Sequence, residues 1–427
     1  MPDLKFRRRR ISILFGVIFV SAISAVSCKP PGLFSEYKGR KGGDKSNIPY
    51  VSVKVLSEVK EVKYSNDEPF VIVTTYNDSS KEEYFSISKI TVKKKGSGLA
   101  VYDRNYGRLS KNAVEVYFRQ TSGDGVARVN GKGYRGGIYI FPQRGKKNVE
   151  VINRLDIDSY LKGVLPAEMG IRDENEYEAL KAQAVAARTY ALKKAIGRGG
   201  MGFLKATISD QVYLGYDSEY PLADKAIEET AGEVLKYDGE LIDAYFFAVC
   251  GGKTESIDQV WGGDPLQYSK STDDSDYCAW AKSYFWEDEF PRELAQRRLE
   301  RYFRGTSGLG LRGKLEDIKV LTRTSSGRVN LLKIYTSKKQ YELQGDKIRW
   351  AFRKSSDYSK ILPSTLFDID EKFNKFGELE SIKFVGRGNG HGIGMCQCGA
   401  IGRARRGQNY REILNIYYPG TLIENIY

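Results

Sequence analysis

The chain has 427 residues, which exceeds the roughly 100 to 200 residues of one ordinary domain, so two or three packed units are expected. Hydrophobic residues make up 41% and aromatic residues 12% of the sequence, and this composition excludes a wholly disordered or collagen-like chain. The sequence contains one histidine, His391. A metal site with several histidine ligands is therefore excluded, and Ser-His or Cys-His chemistry would have to use this residue.

The formal net charge is +14, from 68 Lys and Arg against 54 Asp and Glu. A basic surface favours anionic polymers such as nucleic acid, anionic lipid or cell-wall glycan. The sequence has no zinc-finger spacing, arginine-rich recognition helix or aromatic RNA-binding signature. Nucleic acid is therefore not an expected partner.

Residues 1–27 have the pattern of an export signal. Residues 7–10 are all arginine, and an apolar stretch follows that ends just before Cys28. The segment resembles a bacterial lipoprotein signal, in which a peptidase cuts before the cysteine and acyl chains on that cysteine hold the protein at a membrane. A plain cleaved signal and an uncleaved anchor helix are the alternatives. We predict a signal peptide at residues 1–27, lipid attachment at Cys28 and a flexible Gly- and Lys-rich tether at residues 28–48.

Residues 49–133 alternate apolar and polar side chains between Gly, Asn and Asp turns, which predicts a β-rich N-terminal subdomain. The clearest strand patterns lie at residues 51–55, 69–76, 87–92 and 114–118. No residue type in this subdomain indicates catalysis, so packing or binding is its expected role. The remaining residues, 134–427, are predicted to form a second, larger domain. Its pattern predicts helices at residues 157–169, 173–196, 291–304 and 410–418, with strands at residues 331–335 and 382–385.

The segment 173–196 gives the strongest helix prediction. Asp173 and Asn175 are suitable N-terminal caps, and alanines nearly encircle the predicted helix. A helix with such small side chains on all faces is expected to be buried. Arg188 in its second half then needs an anionic partner, either a structural carboxylate or a substrate group. The predicted fold class is α+β, with a mixed strand-rich core around a buried Ala-rich helix.

Several motifs in the second part of the chain occur in the order found in one protein family. Residues 160–169 read Tyr-Leu-Lys-Gly-Val-Leu-Pro-Ala-Glu-Met, and residues 179–190 read Ala-Leu-Lys-Ala-Gln-Ala-Val-Ala-Ala-Arg-Thr-Tyr. Further motifs are Asp-Gln-Val-Tyr at 210–213, Glu-Thr-Ala-Gly at 229–232, Gly-Gly-Lys-Thr-Glu at 251–255 and Gly-His-Gly-Ile-Gly-Met at 390–395, followed by Gln397. Together they resemble the SpoIID/LytB family (stage II sporulation protein D) over roughly residues 51–427.

This resemblance implies a peptidoglycan lytic transglycosylase that cuts between N-acetylmuramic acid and N-acetylglucosamine in glycan strands stripped of their peptides. The family's catalytic glutamate, in its Pro-x-Glu-Met motif, corresponds to Glu168. One carboxyl group suffices, because it first protonates the glycosidic oxygen and then takes the proton of the muramic C6 hydroxyl, closing a 1,6-anhydro ring without water. An apolar setting would raise the pKa of Glu168 towards the acid role. No cofactor is required. From the residues alone, a glutamate that interacts with a helix dipole is the alternative.

The resemblance also implies substrate-binding or supporting roles for four other residues. Arg188 is expected to orient Glu168 or a sugar group, and Gln211 and Tyr213 are expected at the sugar cleft. His391 lies in the glycine-rich run 386–402, which predicts a tight loop pressed against another backbone or a ligand. For His391, an active-site role and a structural role both remain open.

Four cysteines follow Cys28, namely Cys250, Cys278, Cys396 and Cys398. An even number in an exported chain favours disulfides, and Cys396 and Cys398 are expected to reach Cys250 or Cys278 rather than each other. Zinc is the alternative, because some family members carry zinc near the cleft on His and Cys. Here Phe247 occupies the position where many relatives have His, which leaves the four thiols with His391 as candidate ligands. A cysteine nucleophile paired with His391 is a third alternative.

A non-catalytic protein is the alternative function, since the LytB branch is named for enhancing an N-acetylmuramoyl-L-alanine amidase. A glycosidase that uses water would need a second carboxylate, which the sequence does not identify. The expected partners are peptidoglycan glycan strands, a membrane surface through lipidated Cys28, and an amidase. The expected location is that of an exported, membrane-anchored lipoprotein facing the periplasm or cell wall.

Overall fold

The computed structural model describes residues 48–427, apart from residues 87, 106, 123–124 and 199–201 and the side chains of residues 275 and 276. The predicted signal peptide, the lipid-attachment residue Cys28 and nearly all of the predicted tether lie outside the described residues. No helix in the described ranges is both long and apolar enough to span a membrane.

The alternating sequence of the first part of the chain forms twelve strands. They are β1 (Tyr50–Val59), β2 (Glu61–Asn66), β3 (Phe70–Thr75), β4 (Ser80–Phe85), β5 (Lys89–Lys95), β6 (Gly98–Asp103), β7 (Gly107–Ala113), β8 (Glu115–Gln120), β9 (Ala127–Val129), β10 (Lys132–Tyr134), β11 (Gly137–Pro142) and β12 (Val149–Asp156). One sheet has the order β1-β12-β11-β8-β3-β4 and is extended beside β1 by β13 (Leu204–Lys205). The second sheet has the order β10-β9-β2-β5-β6-β7.

The two sheets share one apolar core. Tyr64 of the second sheet stacks on Phe118 of the first, with 3.9 Å between their ring centroids. The predicted subdomain boundary after residue 133 falls within these sheets, because β11 and β12 follow it and pair with β8 and β1, which precede it.

Three helices follow, α1 (Ile157–Met169), α2 (Tyr177–Gly197) and α3 (Pro221–Glu229). The side chain of Asp156 caps α1 by accepting the backbone N–H of Ser159 at 2.9 Å. The segment predicted to be helical from residue 173 begins as a short 3₁₀ turn, Glu174–Glu176, and continues as α2. Residues 179–192 of α2 are buried or nearly so, which confirms the prediction of a buried Ala-rich helix. The helices and the several sheets together confirm the α+β class.

The remaining elements are β14 (Glu233–Tyr237), β15 (Glu240–Leu241), β16 (Phe246–Phe247), α4 (Ile257–Trp261), α5 (Ser275–Cys278), β17 (Phe285–Pro291), α6 (Arg292–Ser307), β18 (Leu315–Arg323), β19 (Val329–Thr336), β20 (Gln340–Gln344), α7 (Lys347–Phe352), β21 (Phe367–Phe373), β22 (Leu379–Arg387), β23 (Met395–Cys396), α8 (Gln397–Arg405), α9 (Tyr410–Tyr417) and β24 (Leu422–Asn425). Residues from β17 to β22 form a separate core around Phe290, Phe352 and Phe384. The chain then returns to α2, against which α8 and α9 pack.

The glycine-rich run 386–402 is only partly the predicted loop. Asn389 and Val249 exchange two backbone hydrogen bonds of 2.7 and 2.9 Å, so the loop is pressed against another backbone as expected. The expectation of a loop through residue 402 is wrong, because α8 begins at Gln397. A Cβ on Gly399 would lie 1.8 Å from Asp274 Oδ2, so glycine permits this helix to pack closely on its neighbour.

Arg188 is the buried charge of α2, and its side chain has no solvent exposure. Its Nε and one terminal nitrogen donate to Asp158 Oδ1 at 3.0 and 2.8 Å, and the other terminal nitrogen donates to the Glu233 carbonyl at 3.1 Å. Asp158 Oδ2 also accepts the Tyr427 hydroxyl at 2.7 Å. The sequence left open whether Arg188 pairs with a structural carboxylate or with a substrate group. In the structure its partner is the structural carboxylate of Asp158.

We predict that Arg188→Met lowers the free energy of unfolding by about 2 to 4 kcal/mol, because it leaves the partly buried Asp158 without its cation. Urea unfolding of the purified protein measures the change. Lys193→Met on the same helix is the control and should cost less than about 0.5 kcal/mol. An equal loss of stability in both variants would contradict the role given to the buried pair.

Candidate functional site

Glu168 lies in the last turn of α1, with its side chain half-buried. The helix ends at the next residue, Met169, and Gly170 follows as the C-terminal cap with a φ of 69°. Two donors hold the carboxyl group. The backbone N–H of Val212 donates to Oε1 at 2.9 Å, and the Gln397 amide nitrogen donates to Oε2 at 3.4 Å. The acid is therefore fixed by two segments far from it in sequence.

Burial raises the pKa of Glu168 above the ordinary value of 4.5, whereas the hydrogen bonds from Val212 and Gln397 act in the opposite direction. Desolvation disfavours the charged carboxylate, and the two donors stabilise it. The group consequently retains its proton at a higher pH than an exposed glutamate, and it still has partners for the charged form. The environment of Glu168 thus stabilises the protonated form by burial and the charged form by hydrogen bonds.

Gln211 and Tyr213 flank the donor Val212, and their side chains are only 1% and 3% exposed. Gln211 accepts the Tyr160 hydroxyl at 3.0 Å and donates to the Ala187 carbonyl at 3.2 Å. The Tyr213 hydroxyl donates to Asn153 Oδ1 at 2.8 Å. These side chains lie in the core and do not line a cleft. The expected roles were substrate binding and support, and their contacts fit support, because they hold the backbone on both sides of Val212.

Close packing brings this segment against α1. A Cβ on Gly163 would lie 2.5 Å from the Tyr213 ring, and the Leu214 N–H donates to the Gly163 carbonyl at 3.0 Å. A larger residue at position 163 would push the segment, and with it the N–H of Val212, away from Glu168.

Arg188 does not orient Glu168 directly. Its hydrogen bonds go to Asp158 and to backbone carbonyls, and none of them reaches Glu168 or an open surface. Asp158 lies in the first turn of α1 and Glu168 lies in the last turn. The contribution of Arg188 to the site is therefore to hold α1 against α2.

His391 lies among aromatic side chains. Its ring centroid is 5.2 Å from that of Phe247 and 5.1 Å from that of Trp261, and its Nδ1 accepts the Ile393 N–H at 3.1 Å. Burial lowers the pKa of His391 to about 4, so the ring is neutral at physiological pH. In the described residues no hydrogen bond joins His391 to a cysteine or to Glu168, and these contacts fit the structural role.

Three of the four cysteines converge with a carboxylate. The ligand atoms of Cys250, Cys278, Cys396 and Asp274 all lie within 4.8 Å of one another, and all four residues are buried. We call this group the thiol cluster. Its cysteines are free thiols, with 3.3 Å between the sulfurs of Cys250 and Cys278.

Cys398 does not join the thiol cluster, contrary to the expected pairing with Cys250 or Cys278. Cys398 is the second residue of α8, two positions after Cys396. Because the helix turns by about 100° per residue, the Cys398 side chain points away from the direction of the Cys396 side chain and from the thiol cluster.

Asp274 takes the fourth position, which the sequence motifs did not indicate. Its position four residues before Cys278, about one helical turn, is the signal that could have identified it.

Cations surround the thiol cluster. Arg403 donates to Asp274 Oδ1 at 3.1 and 2.9 Å, and the fully buried Arg328 donates to the Cys250 carbonyl at 2.7 Å. The backbone N–H groups of Cys250 and Gly399 both donate to the Cys396 sulfur at 3.2 Å. Three thiols and a carboxylate at these separations match the donor set of a tetrahedral zinc site, with Zn–S distances of about 2.3 Å.

Two protein families match different parts of the chain. The family described as "Stage II sporulation protein" matches residues 145–237, which include Glu168 and the Val212 segment. The family described as "Domain of unknown function (DUF8618)" matches residues 266–394, which contain the separate core between β17 and β22.

Full-length comparisons extend the similarity beyond these segments. An uncharacterized protein of Brachyspira hyodysenteriae is 32% identical over 299 residues, covering 69% of this chain and 73% of the relative. The amidase enhancer of Bacillus subtilis is 28% identical over 426 residues, covering 89% of this chain and 54% of the relative, so the chain spans about half the length of that protein. Stage II sporulation protein D of Bacillus subtilis is 26% identical over 289 residues, covering 64% of this chain and 75% of the relative.

The two named relatives, the match at residues 145–237 and the ordered motifs agree with one another. The chain belongs to the SpoIID/LytB family.

Proposed function

We propose that the protein is an exported peptidoglycan lytic transglycosylase, anchored at a membrane through lipidated Cys28, and that Glu168 is its single acid and base. Membership of the SpoIID/LytB family supports a function on the bacterial cell wall. The observation that most directly supports transglycosylase activity is the environment of the Glu168 carboxyl group. It is half-buried, has a raised pKa and is held by donors from two segments.

The reaction needs Glu168 in both protonation states. As an acid it transfers its proton to the oxygen between the two sugars while the bond from that oxygen to C1 of N-acetylmuramic acid breaks. As a carboxylate it takes the proton of the C6 hydroxyl, whose oxygen forms the new bond to C1. The proton count closes without water, and the products are a free hydroxyl and a 1,6-anhydro end. The Val212 N–H and the Gln397 amide stabilise the carboxylate between the two transfers.

A water-using glycosidase has less support from the site. Such enzymes pair the acid with a second carboxyl group, about 5 to 9.5 Å away. Among the described residues, the hydrogen-bond partners of the Glu168 carboxyl group are an amide and a backbone N–H, and no second carboxyl group contacts it. These contacts fit the one-carboxyl reaction.

We predict that Glu168→Gln lowers the rate of glycan cleavage by about 100- to 10,000-fold, because the amide cannot exchange the proton. Mass spectrometry of native and peptide-stripped peptidoglycan, incubated with the purified protein, measures the products. Anhydro-muramic ends should form with wild type and with the control Glu174→Gln, which changes an exposed glutamate in the turn between α1 and α2. Reducing ends would instead show hydrolysis.

A non-catalytic enhancer of an N-acetylmuramoyl-L-alanine amidase is the second candidate, favoured by the similarity to an amidase enhancer over 89% of this chain. The same experiment separates the two candidates when a purified amidase of this class is added. No cleavage by the protein alone, together with faster peptide release by the amidase, would contradict the transglycosylase proposal. Enhancement that persists in Glu168→Gln would identify the enhancer function.

The raised pKa of Glu168 also predicts a pH-dependent stability difference. A folded-state pKa above the unfolded value means that the native state loses stability relative to the unfolded state as pH rises from 4.5 through the raised pKa. Glu168→Gln lacks this titration, so it should become more stable relative to wild type across that interval. Urea unfolding at about pH 4 and about pH 7.5 measures the difference. A difference that is constant or falls with pH would contradict the assigned shift.

For the thiol cluster we propose a structural zinc ion held by Cys250, Cys278, Cys396 and Asp274. The ion would tie the Cys-Gly-Gly turn and α5 to the start of α8. That helix begins with Gln397, a donor to Glu168, so the ion would stabilise the site from outside the reaction. The chemical step itself requires no cofactor. A Cys250–Cys278 disulfide is the alternative, since the two sulfurs are adjacent.

We predict about one zinc ion per purified chain, lost together with thermal stability in Cys278→Ser. Cys398→Ser is the matched control and should retain both the metal and the melting temperature, because Cys398 lies outside the thiol cluster. Elemental analysis and thermal unfolding measure the two properties. A metal-free protein in which thiol titration shows one disulfide would contradict the zinc site.

A further inference from the structure

A cavity of about 260 Å³ lies where α4 meets the part of the chain matched by the family of unknown function. Trp261 and Asp258 line it from α4. Asn330, Gln344, Asp346 and Lys347 line it from β19, β20 and the start of α7. We call this cavity the Trp261 pocket. Neither the motifs that identify Glu168 nor the thiol cluster includes any of these residues.

The lining of the Trp261 pocket combines an aromatic wall with available polar groups. The Trp261 side chain is 45% exposed, which is unusual for a residue of its size. Among the described residues, no hydrogen bond engages the side-chain amides of Asn330 and Gln344 or the ammonium of Lys347. Donors and acceptors that have no partner within the protein are available to a ligand.

Two carboxylates lie beside these groups. Asp258 accepts the Gln259 amide at 3.0 Å, and Asp346 is held by Arg349 at 2.8 Å and by the indole nitrogen of Trp350 at 3.2 Å. Trp350 is itself 42% exposed, so a second exposed indole contacts Asp346, a lining residue of the pocket. Two carboxylates against one lysine make the lining unsuitable for phosphate or nucleic acid.

These features suit a neutral, hydroxyl-rich ring. A pyranose offers an apolar C–H face that packs on an indole, and its hydroxyl groups pair with planar amides and carboxylates. An acetamido substituent adds one donor and one acceptor for Asn330 or Gln344. The cavity volume lies just below the roughly 300 to 1,000 Å³ of pockets for drug-sized ligands, which is appropriate for one substituted sugar ring.

Direct contacts connect the Trp261 pocket with the site around Glu168. The Trp261 ring lies 5.1 Å from His391, and the His391 ring lies 5.2 Å from Phe247. Phe247 pairs with Cys396, whose neighbour Gln397 donates to Glu168. The pocket and the acid therefore belong to one continuous packed region.

We propose that the Trp261 pocket binds one N-acetylated hexosamine residue of a glycan chain, with the sugar ring on Trp261 and its polar groups on Asn330 and Gln344. The identity of the chain as peptidoglycan rests on the proposed function. The pocket gives the protein a second binding site for the glycan strand that Glu168 cleaves. One side of the pocket is formed by residues in the part of the chain that the family of unknown function matches.

Calorimetric titration of the purified protein with the β-1,4-linked tetramer of N-acetylglucosamine tests the proposal. Trp261→Ala and the double variant Asn330→Ala, Gln344→Ala should each weaken binding about tenfold. The double variant keeps the test valid if Trp261→Ala disturbs the packing on His391. Gln340→Ala is the matched control, because it removes an exposed glutamine from the same strand outside the pocket. The glucose tetramer, which lacks acetamido groups, should bind more weakly.

Equal binding of the tetramer by wild type and both pocket variants would overturn the proposed sugar-binding role of the Trp261 pocket. An absence of binding to wild type would overturn it as well. Neither result decides the proposed function, which depends on whether anhydro-muramic ends form and require Glu168. Conversely, pocket-dependent binding without any cleavage would support the pocket and contradict the transglycosylase.

Discussion

The burial of helix α2 is the constraint on which the rest of the site depends. Small side chains let α1, α3, α8, α9 and β14 all pack against it, so its one buried charge, Arg188, requires a partner inside the protein. Asp158 supplies the opposite charge from the first turn of α1, and Glu168 lies at the other end of the same helix. Gln397 begins α8, which also packs on α2. The acid and one of its two donors are thus both positioned relative to one helix.

The environment of Glu168 balances two opposing effects. Burial favours the protonated acid, and the hydrogen bonds from Val212 and Gln397 favour the carboxylate. A group that must give up a proton and then take one works best when neither form is strongly preferred. The buried polar contacts of Gln211 and Tyr213 maintain this balance, since they fix the backbone between them. Changes in the core beneath the site should therefore affect the pKa of Glu168 as well as the stability.

Local patterns in the sequence predicted the local structure well. The helix boundaries at residues 157–169 agree with α1, and the alanines around residue 184 indicated the burial of α2. The glycine-rich run was harder to interpret, because glycine composition predicts a loop, whereas Gly399 is required by the close approach of α8 to Asp274. Composition shows that a position must be small, but it does not show whether the reason is a turn or a close contact.

Contacts between distant residues account for what the sequence did not reveal. Gln397 is separated from Glu168 by 229 positions, and Asp274 reaches the thiols only because α5 packs on α8. Gln397 was visible within a motif, but its role as a donor depends on the fold. Arg188 shows the same limit, since its burial was predictable while the choice between Asp158 and a substrate group was not.

The state of the Glu168 carboxyl group tests the account most directly. A ¹³C NMR titration of the protein labelled at glutamate carboxyl carbons, with the signal assigned by its loss in Glu168→Gln, measures the pKa in place. The expected midpoint lies above 4.5, and it should rise further in Gln397→Leu, which removes a donor to the charged form. A midpoint at or below 4.5 would contradict a carboxyl group poised to act as the acid.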